Sequence, residues 1–333
     1  MSRDTGFLGD KPVNRIGYGA MQLAGPGVFG PPDDPYAARA VLRRAVELGV
    51  DRIDTAQYYG PDVVNNLIRQ ALQPYPDNLK LATKVGARRD DSGRVLPAQR
   101  PEELREGVEA NLRSLGVERL DLVNLRLVRT IDSDVIALEE QLGVLGDLRR
   151  EGKLDLIGLS NVNEAQVQRA LTCVGVAEIQ NLYSIIDRQD DDLVEFARQH
   201  GIAFTPFLPL AGGPTRLTRA PTIVRVADKH RVASTQIALA WLLARDDGIL
   251  LIPGTSTVVH LEENMAAREV ELDDDDLAIL DQVARPAAPP SEPLTAANDP
   301  GITIIQRGLL TWTWVILPRM QAGRQVPHAG RPR

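Results

Sequence analysis

Arg52-Ile53-Asp54-Thr55-Ala56-Gln57-Tyr58-Tyr59-Gly60 begins as a short apolar strand and turns polar at its far end. A carboxylate inside such a run is expensive to bury without a partner, so the strand end must face a place where charge is paired or used. The pattern recurs. Residues 79–85 end in Ala82-Thr83-Lys84-Val85, and residues 156–161 end in Gly158-Leu159-Ser160-Asn161. Further strands read at 120–127, 178–183, 203–208 and 249–253, with a first strand of mostly small residues near 15–20. Several are near-continuous apolar runs, the composition of parallel strands buried on both faces.

Helices separate these strands. Asp34-Pro35 supplies an N-cap and a first-turn proline, Ala38, Val41, Leu42, Ala45 and Val46 form one apolar stripe, and Gly49 ends it. Pro101 starts another helix, with Leu104, Val108, Leu112 and Leu115 on one side and Gly116 at the stop. The spacing predicts more helices at 135–148, 164–174, 190–200, 222–230, 235–244 and 274–283. Eight strand–helix units over roughly 270 residues match a single-domain (β/α)8 TIM barrel. A doubly wound open sheet is the alternative, but the count reaches eight and no linker divides the chain. The barrel takes residues 1–284, and 285–333 form a Pro/Ala-rich connector and C-terminal tail. Within that tail 301–317 is apolar, with Trp312 and Trp314, and either folds back over the barrel mouth or packs on another subunit. Residues 318–333 are basic and polar and are expected to be loose.

Bulk properties narrow the function. The 333 residues carry a formal net charge of -7, which argues against nucleic-acid binding. Cys173 is the single cysteine, so no intrachain disulfide forms; it reads as packed on an amphipathic helix. The opening Met1-Ser2-Arg3-Asp4 lacks a signal peptide's apolar core, and no apolar run reaches the ~20 residues of a membrane span. The expected location is cytoplasmic, with no membrane partner, and the oligomeric state is left open. No metal is expected: no His/Cys/Asp cluster has zinc spacing, and the acidic run 273–276 suits a helix N-terminus. Gly25-Pro26-Gly27-Val28-Phe29-Gly30 spells a dinucleotide-binding glycine motif, but Pro31 and Pro32 follow where a helix must begin. It reads instead as a flexible loop at the barrel mouth, where Val28 and Phe29 touch substrate.

Barrel enzymes place their chemistry at the C-terminal ends of the strands, so Asp54, Tyr59 and Lys84 are expected to converge. A tyrosine is a poor acid at neutral pH. An adjacent ammonium stabilises its phenolate and lowers its pKa, and a buried carboxylate keeps that ammonium charged. Such a phenol gives a proton to a carbonyl oxygen while a hydride reaches carbon. The alternative is a structural Asp–Lys ion pair beside a surface aromatic.

These stretches resemble the aldo-keto reductases. Residues 53–60 are similar to that family's Asp-Thr-Ala-x-x-Tyr-Gly signature, Thr83-Lys84 to its lysine motif, and Gly158–Asn161 to its Gly-x-Ser-Asn motif. Ile179-Gln180-Asn181, Leu251-Ile252-Pro253-Gly254-Thr255 and Leu261-Glu262-Glu263-Asn264 follow in family order, so the likeness spans about residues 12–284. The resemblance implies an NAD(P)H-dependent oxidoreductase (EC 1.1.1.-) acting on a small aldehyde or ketone, with Tyr59 as general acid and Asp54 and Lys84 tuning it. It implies that Ser160, Asn161 and Gln180 bond the nicotinamide carboxamide and that Phe207 stacks on the ring. By the same likeness Pro209, Leu210 and Gly212 cover the pyrophosphate, Gly19 and Met21 edge the ribose, and Gly254, Thr255, Ser256, His260, Glu263 and Asn264 take the adenosine and its 2′-phosphate. Asp54 is placed at the nicotinamide end of the same cofactor site.

Two departures stand out. The family usually ends its fourth strand in a catalytic histidine; here Arg126 takes that place, a fixed cation that holds the carbonyl oxygen and substrate but shuttles no proton. His260 stands where an arginine often meets the 2′-phosphate, a weaker and pH-dependent anchor. NADPH is the expected cofactor, with NADH the alternative. Asn124 and Arg126 together resemble a bacterial subgroup that includes pyridoxal reductases, which implies a pyridoxal-like substrate. Two other functions stay open: a nucleotide-binding sensor or regulatory subunit with little turnover, and a dehydrogenase working in the oxidative direction on an alcohol.

Overall fold

The structure, a computed structural model, describes residues 4–128 and 136–283. Seven parallel strands lie side by side: β3 (Tyr18–Gly19), β4 (Arg52–Asp54), β5 (Lys80–Arg89), β7 (Leu120–Arg126), β8 (Leu154–Ser160), β9 (Glu178–Gln180) and β10 (Ala203–Phe204). The eighth position is filled by 249–251, which bridges Phe204 through Ile249 on one side and Ile16 through Leu251 on the other. Those two bridges close the sheet on itself, as the barrel expectation requires.

Helices cover the outside. Helix α1 (Pro35–Glu47) is capped by Asp34, whose side chain accepts from the Tyr36 and Ala37 amides, and it buries Ala38, Val41, Leu42 and Ala45. Helix α2 (Val63–Leu72) is one the sequence reading missed. Its N-cap, Asp62, is left-handed with no side-chain cap bond, so the usual start signal is lacking. Helices α3 (Pro101–Leu115), α4 (Leu138–Arg150), α5 (Glu164–Cys173), α6 (Asp191–Gln199), α7 (Pro214–Thr218), α8 (Pro221–His230), α9 (Ser234–Arg245), α10 (Val258–Ala266) and α11 (Asp274–Leu280) complete the layer. The 273–276 run opens α11 as expected: Asp273 accepts from the Asp276 amide, and Asp276 turns inward to Lys229 and His230.

An antiparallel hairpin, β1 (Thr5–Leu8) and β2 (Lys11–Asn14), also went unread; Leu8 and Val13 plug the N-terminal end of the barrel against Ala82, Leu122, Ala203 and Leu250. A third unread strand, β6 (Val95–Ala98), folds back on the extended end of β5. The 203–208 strand is shorter than read, and α4 begins three residues past the expected start, part of which falls outside the described residues. The tail 285–333, with Trp312 and Trp314, also lies outside them. Cys173 is exposed rather than packed, because α5 ends on it and turns Val167 and Ala170 inward instead. The 25–30 stretch is a tight turn, not a loose loop: the Gly25 amide donates to the Gly30 carbonyl at 2.9 Å. No helix among the described residues is long and apolar enough to cross a membrane.

Between plug and mouth the barrel holds a charged layer. Arg52 Nη1 meets Glu178 Oε1 at 3.1 Å with both side chains fully buried. Glu178 also accepts from Thr205 Oγ1 at 2.5 Å and Asn124 Nδ2 at 2.6 Å, and Arg52 Nη2 donates to the Leu251 carbonyl. Burying such ions is tolerable only when most of their remaining hydrogen-bonding sites are met; here Arg52 Nε and Asn124 Oδ1 have no partner among the described residues. Space for the layer comes from Gly158, where a Cβ would stand 2.0 Å from Asn124 Oδ1. Gly158→Ala is therefore expected to cost about 1–3 kcal/mol by overpacking, read as a lower urea midpoint; an unchanged midpoint would show that Asn124 can move aside freely.

Candidate active site

The upper interior layer is built by consecutive strand ends. Register pairs Arg126 with Ser160 and Ser160 with Gln180, while Asp54 ends β4 and Lys84 lies within β5. Lys84 Nζ forms a short ion pair with Asp54 Oδ1 and donates to the Thr55 carbonyl at 3.0 Å. The second Asp54 oxygen accepts from Gln180 Nε2 at 2.8 Å. Asp54, Lys84 and Gln180 are all buried.

Tyr59 closes over this pair. The residue is 8% exposed, with the ammonium of Lys84 5.2 Å from its ring centroid and Tyr58 edge-on at 5.3 Å. The structure thus brings together the expected trio. It corrects the expected direction of the phenol's pKa, which burial pushes upward; Asp54 pushes it further, and Arg126 and Arg89 only partly oppose them. The desolvation of the phenolate outweighs the nearby cations, so Tyr59 is held protonated across the neutral range.

Arg126 lies at the rim with its guanidinium 5.1 Å from the Phe207 ring centroid, and its Nη1 donates to Ser160 Oγ at 3.1 Å. Among the described residues no carboxylate lies within ion-pairing distance of it. Its charge is therefore not neutralised by a neighbouring carboxylate, and it rests instead against the Phe207 ring.

The remaining predicted residues are carried by the ends of the other strands and the segments that follow them. Ser160 is fully buried, and Asn161 is exposed in the left-handed region (φ 63°), its Nδ2 spent on the Leu127 carbonyl. Gln180 spends its amide nitrogen on Asp54, but its Oε1 is buried and has no hydrogen-bond partner among the described residues. In α10 the Asn264 Nδ2 is likewise buried and unpartnered among the described residues. Buried polar atoms are rarely left so; Arg52 Nε, Asn124 Oδ1 and Gln141 Oε1 are also unpartnered among the described residues, and of these five Gln180 and Asn264 belong to the expected cofactor set. Thr255 is buried and tied to β3 through Tyr18 Oη on its carbonyl; Ser256 and His260 are exposed at the start of α10, where Thr257 caps the His260 amide. Glu263 and Gly254 are half-buried nearby. Pro209 is buried, Leu210 half-buried and Gly212 exposed in a loop that carries positive φ at Leu208, Ala211 and Gly212. Gly19 lies against the Ile252 backbone, with Met21 half-buried in the following turn. In the 25–30 turn, Val28 is half-buried and Phe29 exposed. No metal-holding group of three His, Cys, Asp or Glu side chains occurs among the described residues.

Sequence reading missed Arg89 and Gln99. Arg89 ends β5 and donates from Nε to the Tyr58 carbonyl at 3.1 Å; Gln99 donates to the Arg126 carbonyl at 3.3 Å. An arginine at a strand end reads as solvated, and nothing in the 95–99 stretch announces a strand that turns it inward.

A closed barrel with a protonated phenol, an ammonium and a shared carboxylate at its mouth has the layout of an oxidoreductase that moves protons at oxygen. Residues 15–285 match the model of the Aldo/keto reductase family, and the chain belongs to that family. It is 48% identical over 287 residues to the pyridoxine 4-dehydrogenase of Escherichia coli strain K12, covering 86% of this chain and 100% of that protein. A methylglyoxal reductase of the same organism is 30% identical over 286 residues, covering 83% of this chain and 93% of its own. A crystal structure of an aldo/keto reductase from Klebsiella pneumoniae in complex with NADP and acetate superposes with a TM-score of 0.71 at 26% identity, over 86% of this chain and 96% of that one.

The Asp54–Lys84 pair yields a stability test. Asp54→Leu leaves a buried ammonium without its carboxylate and is expected to lower folding stability by about 3–5 kcal/mol, measured by urea unfolding. A variant as stable as the parent would show that the pair is a structural bystander.

Proposed function

We propose that this protein is an NADPH-dependent carbonyl reductase in which Tyr59 donates the proton, with pyridoxal as the substrate that fits the site best. The observation that carries it is the buried, protonated Tyr59 over the Asp54–Lys84 pair. The bound nicotinamide supplies the hydride. Tyr59 Oη gives its proton to the developing alkoxide, and Lys84 balances the phenolate left behind. Asp54 pairs with Lys84 and orients Gln180, whose free Oε1 suits a carboxamide N–H. Asn264, with its free Nδ2, and the 255–260 segment would hold the far, adenosine end, and the exposed α10 start suits a 2′-phosphate.

Arg126 supports the choice of substrate. Pyridoxal carries an acidic phenolic oxygen beside its aldehyde, and a guanidinium free of carboxylates is a partner for it. The 48% identical relative is named for the same vitamin. That name describes the oxidative direction, and the same residues serve both directions: Tyr59 would then begin as the base. The solvent-side setting we assign is the cytoplasm, on the strength of a lone exposed cysteine.

Tyr59→Phe is expected to abolish reduction of pyridoxal, followed as NADPH absorbance at 340 nm, while NADPH still quenches protein fluorescence. Turnover retained in that variant would refute the acid assignment; tight NADPH binding by the parent without turnover on any of a panel of carbonyls would favour a sensor instead. Because the Tyr59 pKa is raised, reduction should hold steady through neutral pH and fall only in alkali. Oxidation of pyridoxine, which needs the phenolate, should rise about tenfold per pH unit below that pKa. A flat oxidative profile would mean another group accepts the proton. Arg126→Leu is expected to raise KM for pyridoxal about tenfold or more, with a smaller effect on a neutral aldehyde such as methylglyoxal; equal effects would remove Arg126 from substrate choice.

A further inference from the structure

Strand β5 does not stop at the barrel rim. It runs on to Arg89 and pairs with β6 from Gly86↔Ala98 to Arg89↔Val95. The hairpin's tip is stiff: Asp90 Oδ1 accepts from the Ser92 and Arg94 amides and from Ser92 Oγ, and Asp90 pairs with Arg94. This hairpin touches the backbone beneath both working side chains. At its far end the Arg89 guanidinium bridges the Gly93 carbonyl of the tip and the Tyr58 carbonyl, which belongs to the peptide leading into Tyr59. At its base Gln99 holds the Arg126 carbonyl, and Gly86 packs so closely there that a Cβ would stand 2.5 Å from that oxygen.

We propose that Arg89 is a positioning residue for proton transfer: from the hairpin it fixes the peptide that carries Tyr59 and keeps a permanent positive charge beside the phenol. The proposal rests on the reading of Tyr59 as the proton donor. The groups that face Tyr59 are Lys84 from β5, Asp54 from β4, Arg126 from β7, Tyr58 beside it and Arg89 from the hairpin. Of these, Arg89 couples the charge to a forked grip on the chain. A lysine keeps the charge and loses the fork, which separates the two effects.

The experiment compares Arg89→Met, Arg89→Lys and Tyr59→Phe with the parent, using pyridoxal and NADPH in one direction and pyridoxine and NADP+ in the other. NADPH fluorescence quenching and thermal unfolding confirm that each variant is folded. Arg89→Met is expected to lose roughly 10–100-fold in kcat with KM for pyridoxal little changed, and to shift the rising limb of the oxidative pH profile upward by about half a unit or more. Arg89→Lys should restore the parental limb and only part of kcat. A rise in KM with kcat intact would make Arg89 a substrate-binding residue and overturn the proposal. So would an unshifted limb with parental kcat in Arg89→Met beside an inactive Tyr59→Phe, which leaves the acid assignment standing. An active Tyr59→Phe would instead remove the acid assignment, and this proposal with it.

Discussion

The Asp54 carboxylate has two oxygens and two obligations. One oxygen takes the Lys84 ammonium and the other takes the Gln180 amide, so a single buried anion links strands β4, β5 and β9 across the mouth. A carboxylate so far from water is stable only while both bonds hold. Lys84 is thereby kept beneath the Tyr59 ring, and Gln180 is turned so that its carbonyl oxygen faces away from Asp54 with no partner. The positions of Lys84 and Gln180, on either side of Asp54, are therefore set by one residue.

Beneath this layer the barrel repeats the same solution. Arg52 and Glu178 face each other across the interior, and Glu178 spends its remaining lone pairs on Thr205 and Asn124. A purely apolar filling would be cheaper to desolvate. The ionic one has directed bonds, and it fixes β4, β7, β9 and β10 relative to one another beneath the residues that act. Lower still, the β1–β2 hairpin seals the end with Leu8 and Val13.

Much of this was legible in the sequence because the signal was an exception to a rule: a charged residue at the end of an apolar strand. Asp54, Lys84 and Arg126 stand out on that ground, and the structure gathers them at one rim. The alternation of strands and helices was legible for the same kind of reason, since burial on both faces leaves its mark on composition. What was not legible lacked such a mark. Helix α2 begins at an aspartate that caps nothing. The β1–β2 hairpin and β6 are four-residue strands of mixed character. The sign of the Tyr59 shift depends on how completely the ring is desolvated, a property of packing that no count of nearby charges supplies. The left-handed backbone at Leu208 and Ala211, with no glycine to announce it, is equally invisible in the residue types.

Gly60 directly follows Tyr59. Its amide donates to the Val28 carbonyl at 3.1 Å, it adopts a φ of +66°, and a Cβ on it would stand 2.6 Å from the Gly30 carbonyl. The loop expected to touch substrate is thus bolted to the residue next to Tyr59. In evolutionary terms the two are epistatic: a change in loop 25–30 that improves the fit to a new substrate also pulls on the chain that aims the phenol. Lineages of this barrel are then expected to acquire new substrates by exchanging the side chains at Val28 and Phe29, while insertions and deletions in that loop are selected against.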